Sequence, residues 1–459
     1  MRRMLSAITF IVAMGLSTAG ASAVPPAGPG GWDDVGGGLN DRVQALNTDM
    51  SGQMIVGGRF YDAGGVEQAD KIALWNGSTW SALGSNGMGA GFFPEDASEI
   101  RAIEYDPVNN KLYVGGTFTN VNGDPANDYF MVWDGATWSP ACGGAFTGNV
   151  WALHILGSNL YVGGDFQDLN AVTTADRVVS CPLAGGGPNA LVDDALDVGA
   201  GSVLALASDS NGDLYVGGQF INHDQQAAAD YIVKFDPDVP VAGAWSPAGF
   251  GTGGPPTPAI DSVNVDALAA QGLNVFVGTD DEDIGGEFGS DHIARYDGTG
   301  LWSRVGINPG IFPAMSAIYA LLPVGNDLYA TGAFNDADGD PLADGVLKYN
   351  QSTHVWSTLG NGGPSFPNQG PLGANGAGDG AALATFQGNL IVGGAFVDAS
   401  GDAGADRIAA FPLPTTVPPQ VLPPPTQSTS AALTAVAPKK CKRGFKLKKG
   451  KCRKKKRKK

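Results

Sequence analysis

Residues 112–141 read "LYVGGTFTNVNGDPANDYFMVWDGATWSPA". The stretch opens on three apolar residues, Leu112 to Val114, runs into the pair Gly115-Gly116 and reaches Phe118. Turn formers follow, then a second apolar run, Phe130 to Trp133, and a third short one at Trp138. Short runs rich in aromatic and β-branched residues, bounded by Gly, Pro, Asn and Asp, are strand signals. The first run recurs as "MIVGGRF", "LYVGGTF", "LYVGGDF", "LYVGGQF", "VFVGTDD", "LYATGAF" and "LIVGGAF". Its second glycine slot holds Gly58, Gly116, Gly164, Gly218, Thr279, Gly332 and Gly394, a mean period of 56 residues. Self-similarity at such a period marks a repeat architecture.

Each copy has the same neighbours. A short apolar strand ("VQAL", "IRAI", "VWAL", "VLAL", "VDAL", "IYAL") precedes the glycine strand, and turns such as "SNGD" or "QGN" join the two. A third strand ("KIALWNG", "YFMVWDG", "HIARYDG") and a fourth ("TWSALG", "TWSPAC", "AWSPAG", "LWSRVG", "VWSTLG") follow. Four short antiparallel strands per repeat, with no sustained helical periodicity, predict an all-β propeller blade. The fourth strand carries Trp80, Trp138, Trp245, Trp302 and Trp356 in copies one, two, four, five and six. Copy three offers "ALDVG" (residues 195–199) for that place, and copy seven runs into a Pro-rich segment instead. The missing strand stands at the other end of the chain, as "WDDVG" from Trp32 to Gly36. The expected fold is a seven-bladed β-propeller of four-stranded antiparallel blades, closed by this N-terminal strand, which leaves no open sheet edge.

The combination "YVGG.F", "W..lG" and "V.AL" resembles kelch-type and galactose-oxidase-like propeller repeats. It is closer still to the propeller repeats of cortical cell-polarity markers and related bacterial secreted proteins. The resemblance covers residues 31–413 and implies a propeller, often in a cell-surface setting. It implies no catalytic residue, because the shared motifs are structural.

The two ends differ from the body. Residues 1–23 have a basic start (Arg2, Arg3), a short apolar stretch and the small-residue site Ala21-Ser22-Ala23, as a secretory signal does. Export to the cell surface or medium is expected, and no later stretch is apolar and long enough to span a membrane. The propeller is assigned to residues 24–413, a Pro/Ser/Thr-rich linker to 414–438 and a basic, Cys-containing tail to 439–459. All 45 acidic residues lie in the body and linker, against 11 basic ones; the tail holds 15 Lys and Arg and no acid. The candidate disulfides are Cys441–Cys452, within the tail, and Cys142–Cys181, and spacing alone establishes neither.

Most recurring residues read as structural. Glycine inside a strand marks a bulge or a close backbone approach, and a fourth-strand Trp, Trp32 included, packs between blades. The loop after the glycine strand keeps a constant length. Two residues beyond the Phe slot stands Asp62, Asn120, Asp168, Asn222, Asp283, Asp336 or Asp398. Ten residues beyond it stands Asp70, Asp128, Asp176, Asp230, Asp291, Asp344 or Asp406. One reading makes these side chains acceptors of backbone N–H bonds. The other is cationic: the seven loops hold 20 acidic residues and no Lys or Arg, and Asp336, Asp338 and Asp340 are spaced as in a calcium loop. No other cofactor is expected.

A four-stranded meander places these loops and the long blade-to-blade connections on one face, which is therefore acidic and the expected interaction surface for a protein or glycan. A copper radical oxidase would need clustered His and Tyr, but His154, His223, His292 and His354 fall at four different kinds of position. A propeller enzyme stays open as the alternative to a non-enzymatic binding protein. The tail suits anionic envelope polymer or lipid headgroups better than nucleic acid on an exported protein; docking on the acidic face, or no partner at all, are the rival readings.

Overall fold

The structure, a computed structural model, describes residues 31–414 apart from several gaps, the longest at 192–200, 222–229, 250–259 and 361–379, and the strand residues 445–448 and 451–454. The chain divides into two units after Val417, each described by itself. In the first, seven four-stranded antiparallel sheets follow one another. Blade 1 comprises Val43–Met50, Gln53–Gly58, Ile72–Trp75 and Trp80–Ala82, and five further blades repeat this meander. The seventh takes three strands from the end of the unit, Gly380–Phe386, Asn389–Gly394 and Ile408–Pro412. Its fourth is Asp33–Asp34, paired antiparallel with Ala410 and Ala409. The first strand of each blade contacts the first strand of the next, and that of blade 7 contacts that of blade 1, so the ring is closed.

The glycine pair explains how neighbouring blades come together. A Cβ on Gly116 would lie 2.0 Å from the Glu99 carbonyl oxygen of its own inner strand. One on Gly115 would lie 2.3 Å from Val150 Cγ1, on the opening residue of the next blade. The same clash would arise between Gly57 and Ile100, Gly163 and Val203, Gly217 and Val265, Gly278 and Ile318, and across the seam between Gly393 and Val43. Each glycine is thus a socket for the β-branched residue that opens the following blade. Blade 6 has Thr331 in the socket, and there alone the following blade opens on a glycine, Gly380. Bulk has moved from one side of the joint to the other, as dense packing requires.

A second tie crosses the outer part of the blades. The indole N–H of every fourth-strand Trp but Trp80 donates to a carbonyl just past the end of the preceding blade's fourth strand. The pairs are Trp138 to Leu83 at 2.8 Å, Trp245 to Leu191 at 2.8 Å, Trp302 to Ala248 at 3.0 Å, Trp356 to Val305 at 2.8 Å and Trp32 to Leu359 at 3.1 Å. The expected placement of blade 3's fourth strand is corrected here: it is Asn189–Ala190, paired with Ser180 and Val179. "ALDVG" at 195–199 lies outside the described residues. Leu191 accepts from Trp245 as Leu83 does from Trp138, so Pro188 holds blade 3's Trp position, and no indole reaches back to blade 2. At that joint Cys142, next to the end of blade 2's last strand, is bonded to Cys181 on blade 3's third strand, with Cα atoms 5.5 Å apart. A covalent tie stands where the hydrogen-bonded one is missing. The pairing of Cys441 with Cys452 lies outside the described residues.

At the seam between blades 7 and 1, the buried Trp80 indole nitrogen has no hydrogen-bond partner. Gly36, at φ +63°, passes so close that a Cβ there would lie 2.3 Å from it. Across this seam Val35 and Leu39, which follow the Asp33–Asp34 pairing, pack in one buried cluster with Val43, Trp75 and Trp80 of blade 1 and with Ile408 and Ala410 of blade 7, while fully buried Trp32 holds the strand against blade 6. Replacing Trp32 by Ala should cost about 3–5 kcal/mol. Removing residues 24–36 should cost more than removing 439–459, by urea unfolding. The double change Cys142→Ser/Cys181→Ser should cost about 2–4 kcal/mol, with no comparable effect of reductant on that variant.

Candidate functional site

The two ends of the ring are unlike. At one end the first and second strands are joined by two-residue turns, such as Gly157-Ser158 and Gly272-Leu273. At the other, the inner strands begin and the ten-residue loops leave the glycine strands, since Val43 pairs with Gly58 and Ile100 with Gly116. Any site with varied side chains belongs to this second end.

The loops are ordered by their closing carboxylates. Asp70, Asp176, Asp344 and Asp406 accept from the backbone N–H of Asp62, Asp168, Asp336 and Asp398 at 2.9, 2.5, 2.7 and 2.7 Å. Asp128 accepts from Asn120 in the same way. Asn222 and Asp283 lie outside the described residues. The residue after each closing Asp is left-handed: Lys71, Tyr129, Arg177, Tyr231, His292 and Arg407 have φ between 60° and 66°, and Gly345 takes the place in blade 6. That conformation costs roughly 1–2 kcal/mol for a residue with a Cβ. It is offset because the same residue's carbonyl accepts from the second glycine slot in all seven blades, at 2.8–3.1 Å. In the loop spaced like a calcium site, Asp338 accepts from Asn308 Nδ2 and Asp340 from the Leu342 N–H, while Asp336 makes no side-chain cap bond. Among the described residues no three His, Cys, Asp or Glu side chains gather as a metal site.

The histidines stay apart. His154 Nε2 lies 2.8 Å from Ser208 Oγ, and burial pushes its pKa down to about 4. His292 packs edge-on against Phe312, and His354 Nδ1 lies 2.8 Å from the Tyr349 hydroxyl. His223 is outside the described residues.

A different set converges at the centre. In every blade the register of the inner strand slips near its start, after the first residue in six blades (for instance between Val43 and Ala45 or Ile100 and Ala102) and after the second, Ile318, in blade 6. Such a bulge leaves one residue unpaired and re-aims its side chain. The seven bulged residues are Gln44, Arg101, Trp151, Leu204, Asp266, Tyr319 and Ala381, and with Arg42 and Ala395 they line a cavity of about 410 Å³ at the mouth of the central channel. Arg101 Nε lies 2.7 Å from Glu99 Oε2, Arg42 Nε lies 3.8 Å from Glu99 Oε1, and Glu99 is buried between them. The Arg101 guanidinium also stacks over the Trp151 ring at 5.2 Å. Burial pushes the Asp266 carboxyl up to about 7, with neighbouring Asp280 adding to the shift. No ion pair to Asp266 occurs among the described residues.

The sequence reading missed this cavity, although a signal for it was present. Within "V.AL" the second position reads Gln, Arg, Trp, Leu, Asp, Tyr and Ala, while its neighbours barely change. A variable position inside a constant strand is one that the fold does not use.

The sequence matches no protein-family model and no curated protein. Solved structures share the fold. The extracellular domain of a hybrid two-component system from B. thetaiotaomicron is 12% identical, with a TM-score of 0.50 over 83% of this chain and 39% of that one. The chain thus spans about two fifths of that domain's length. The WD40 β-propeller domain of Doa1 is 12% identical, with a TM-score of 0.42 over 82% of this chain and 95% of that one. Among the described residues no helix is long and apolar enough to cross a membrane.

Asp266 makes stability depend on pH. Its folded pKa lies above the unfolded value, so the stability it contributes is full below about pH 4 and is lost as pH rises through about 7. Asp266→Asn should therefore stabilise the protein at pH 8.5 by on the order of 1–3 kcal/mol, allowing for partial solvent screening, and change little at pH 4. Urea unfolding at the two pH values measures this; equal effects at both would refute it.

Proposed function

We propose that this protein is an exported, non-enzymatic propeller that binds partners through its acidic loop face and is retained on anionic envelope polymers or lipid headgroups by its basic tail. The observation that carries the reading is the asymmetry of the ring, with a lined mouth and five loops closed by carboxylate hydrogen bonds among the described residues at one end and tight turns at the other. Function concentrates on loops held by a rigid scaffold. Among the described residues the lining of the mouth contains no Ser, Thr, Cys, Lys or His. Two guanidiniums and one carboxylate hold charge, but they do not pair a nucleophile with a base. Export rests on the leader-like pattern of residues 1–23, and the resemblance of the repeat to kelch-type and cortical-marker propellers agrees with a surface setting.

The tail supplies retention through density of charge. Phe445–Lys448 and Lys451–Lys454 form a hairpin in which Lys446 faces Arg453 and Lys448 faces Lys451 in register. Attraction of this kind is unspecific and screened by salt. Deleting residues 439–459 should move the protein from the envelope fraction into the medium, and raising salt should release the full-length protein likewise. Identical fractionation of the two forms at low salt would sink the retention reading.

A further inference from the structure

The order of blades gives the mouth a polarity. Arg42 opens blade 1 and Arg101 lies in the inner strand of blade 2, whereas Asp266 lies in that of blade 5. In a ring of seven, blade 5 stands opposite the joint between blades 1 and 2. The two arginines share one carboxylate, that of Glu99, and both approach it through Nε. That wall therefore carries surplus positive charge, with the paired Nη groups left to meet a planar carboxylate. The facing wall carries Asp266 with Asp280 beside it and no balancing cation among the described residues. Between the walls stand Trp151, Leu204 and Tyr319 from blades 3, 4 and 6.

We propose that the channel mouth binds a small zwitterion, an amino acid or short peptide, with its carboxylate on Arg42 and Arg101 and its ammonium on Asp266. A simple anion would bring its charge towards Asp266, and a simple cation towards two guanidiniums. A ligand with both charges satisfies both walls and leaves neither buried charge opposed. The cavity of about 410 Å³ lies within the usual range of small-molecule sites. Trp151, Leu204 and Tyr319 offer apolar surface to the part of the ligand between its charges. The site uses neither the tail nor the ten-residue loops, so it stands or falls apart from the retention reading.

Calorimetry on the full-length protein tests it with four probes: phenylalanine, the tripeptide Ala-Phe-Ala, and that tripeptide either N-acetylated or C-amidated. The free tripeptide, phenylalanine or both should bind, and which of them binds more tightly assigns the source as peptide or amino acid. Blocking either end of the tripeptide should weaken binding at least tenfold wherever the free tripeptide binds. Asp266→Asn should weaken the free-amine probes while leaving the N-acetylated one unchanged. Arg42→Gln should weaken the free-carboxylate probes while leaving the C-amidated one unchanged. Arg42 is chosen over Arg101 because it is the more exposed and the more distant of the two from Glu99. If no probe binds at millimolar concentration, or blocked and free tripeptides bind alike, the proposal is overturned. The mouth variants should fractionate with the envelope as the parent does, and the tail deletion should keep its probe binding.

Discussion

The ring depends on one steric fit: the residue that opens each inner strand sits where a Cβ of the preceding blade would otherwise be. Six joints place Val or Ile against a glycine, and the seventh exchanges the two sizes, with Thr331 before Gly380. The contact buries apolar surface at the narrowest part of the molecule, where blades are closest and no water can fill a misfit. This is why the glycine pair is the most constant feature of the repeat. It also explains why the two glycines are not equivalent, since one clears the next blade and the other clears its own first strand.

Farther out the joints differ, and the differences compensate one another. Five are tied by an indole-to-carbonyl hydrogen bond. The joint between blades 2 and 3 is tied by the Cys142–Cys181 bond. The seam between blades 7 and 1 has the Trp80 ring in place but its N–H unpartnered, and relies on the N-terminal strand. A hydrogen bond of this kind contributes about 1 kcal/mol net, so what the ties supply is mainly a common orientation of neighbouring blades. Packing at the glycine joints supplies the stability.

The functional end is built on this frame without altering it. A bulge near the start of every inner strand takes one side chain per blade out of the ladder and into the mouth. Constant packing residues on either side hold that position still, and the side chain itself is free to vary. A sevenfold frame thus carries a cavity with no sevenfold symmetry, in which blades 1 and 2 bring positive charge and blade 5 negative charge. Five of the ten-residue loops around it are held by carboxylates accepting backbone N–H bonds, so part of their acidity serves turn geometry.

The sequence by itself determined the blade count, the four-strand unit and the use of Trp32 to Gly36 to close the ring, because period and strand patterning are local properties of the chain. It also singled out Asp70, Asp128, Asp176, Asp230, Asp291, Asp344 and Asp406 through constant spacing, without deciding between a turn acceptor and a cation ligand. It misplaced the fourth strand of blade 3, because Pro188 erased the Trp signal and a better-looking strand stood a few residues on. Only the tertiary structure could pair Gly57 with Ile100, set the disulfide at the joint that lacks an indole, and bring Arg42, Arg101 and Asp266 to one cavity. Those contacts join residues a repeat or more apart, and a period says that copies stack without saying which atoms meet when they do.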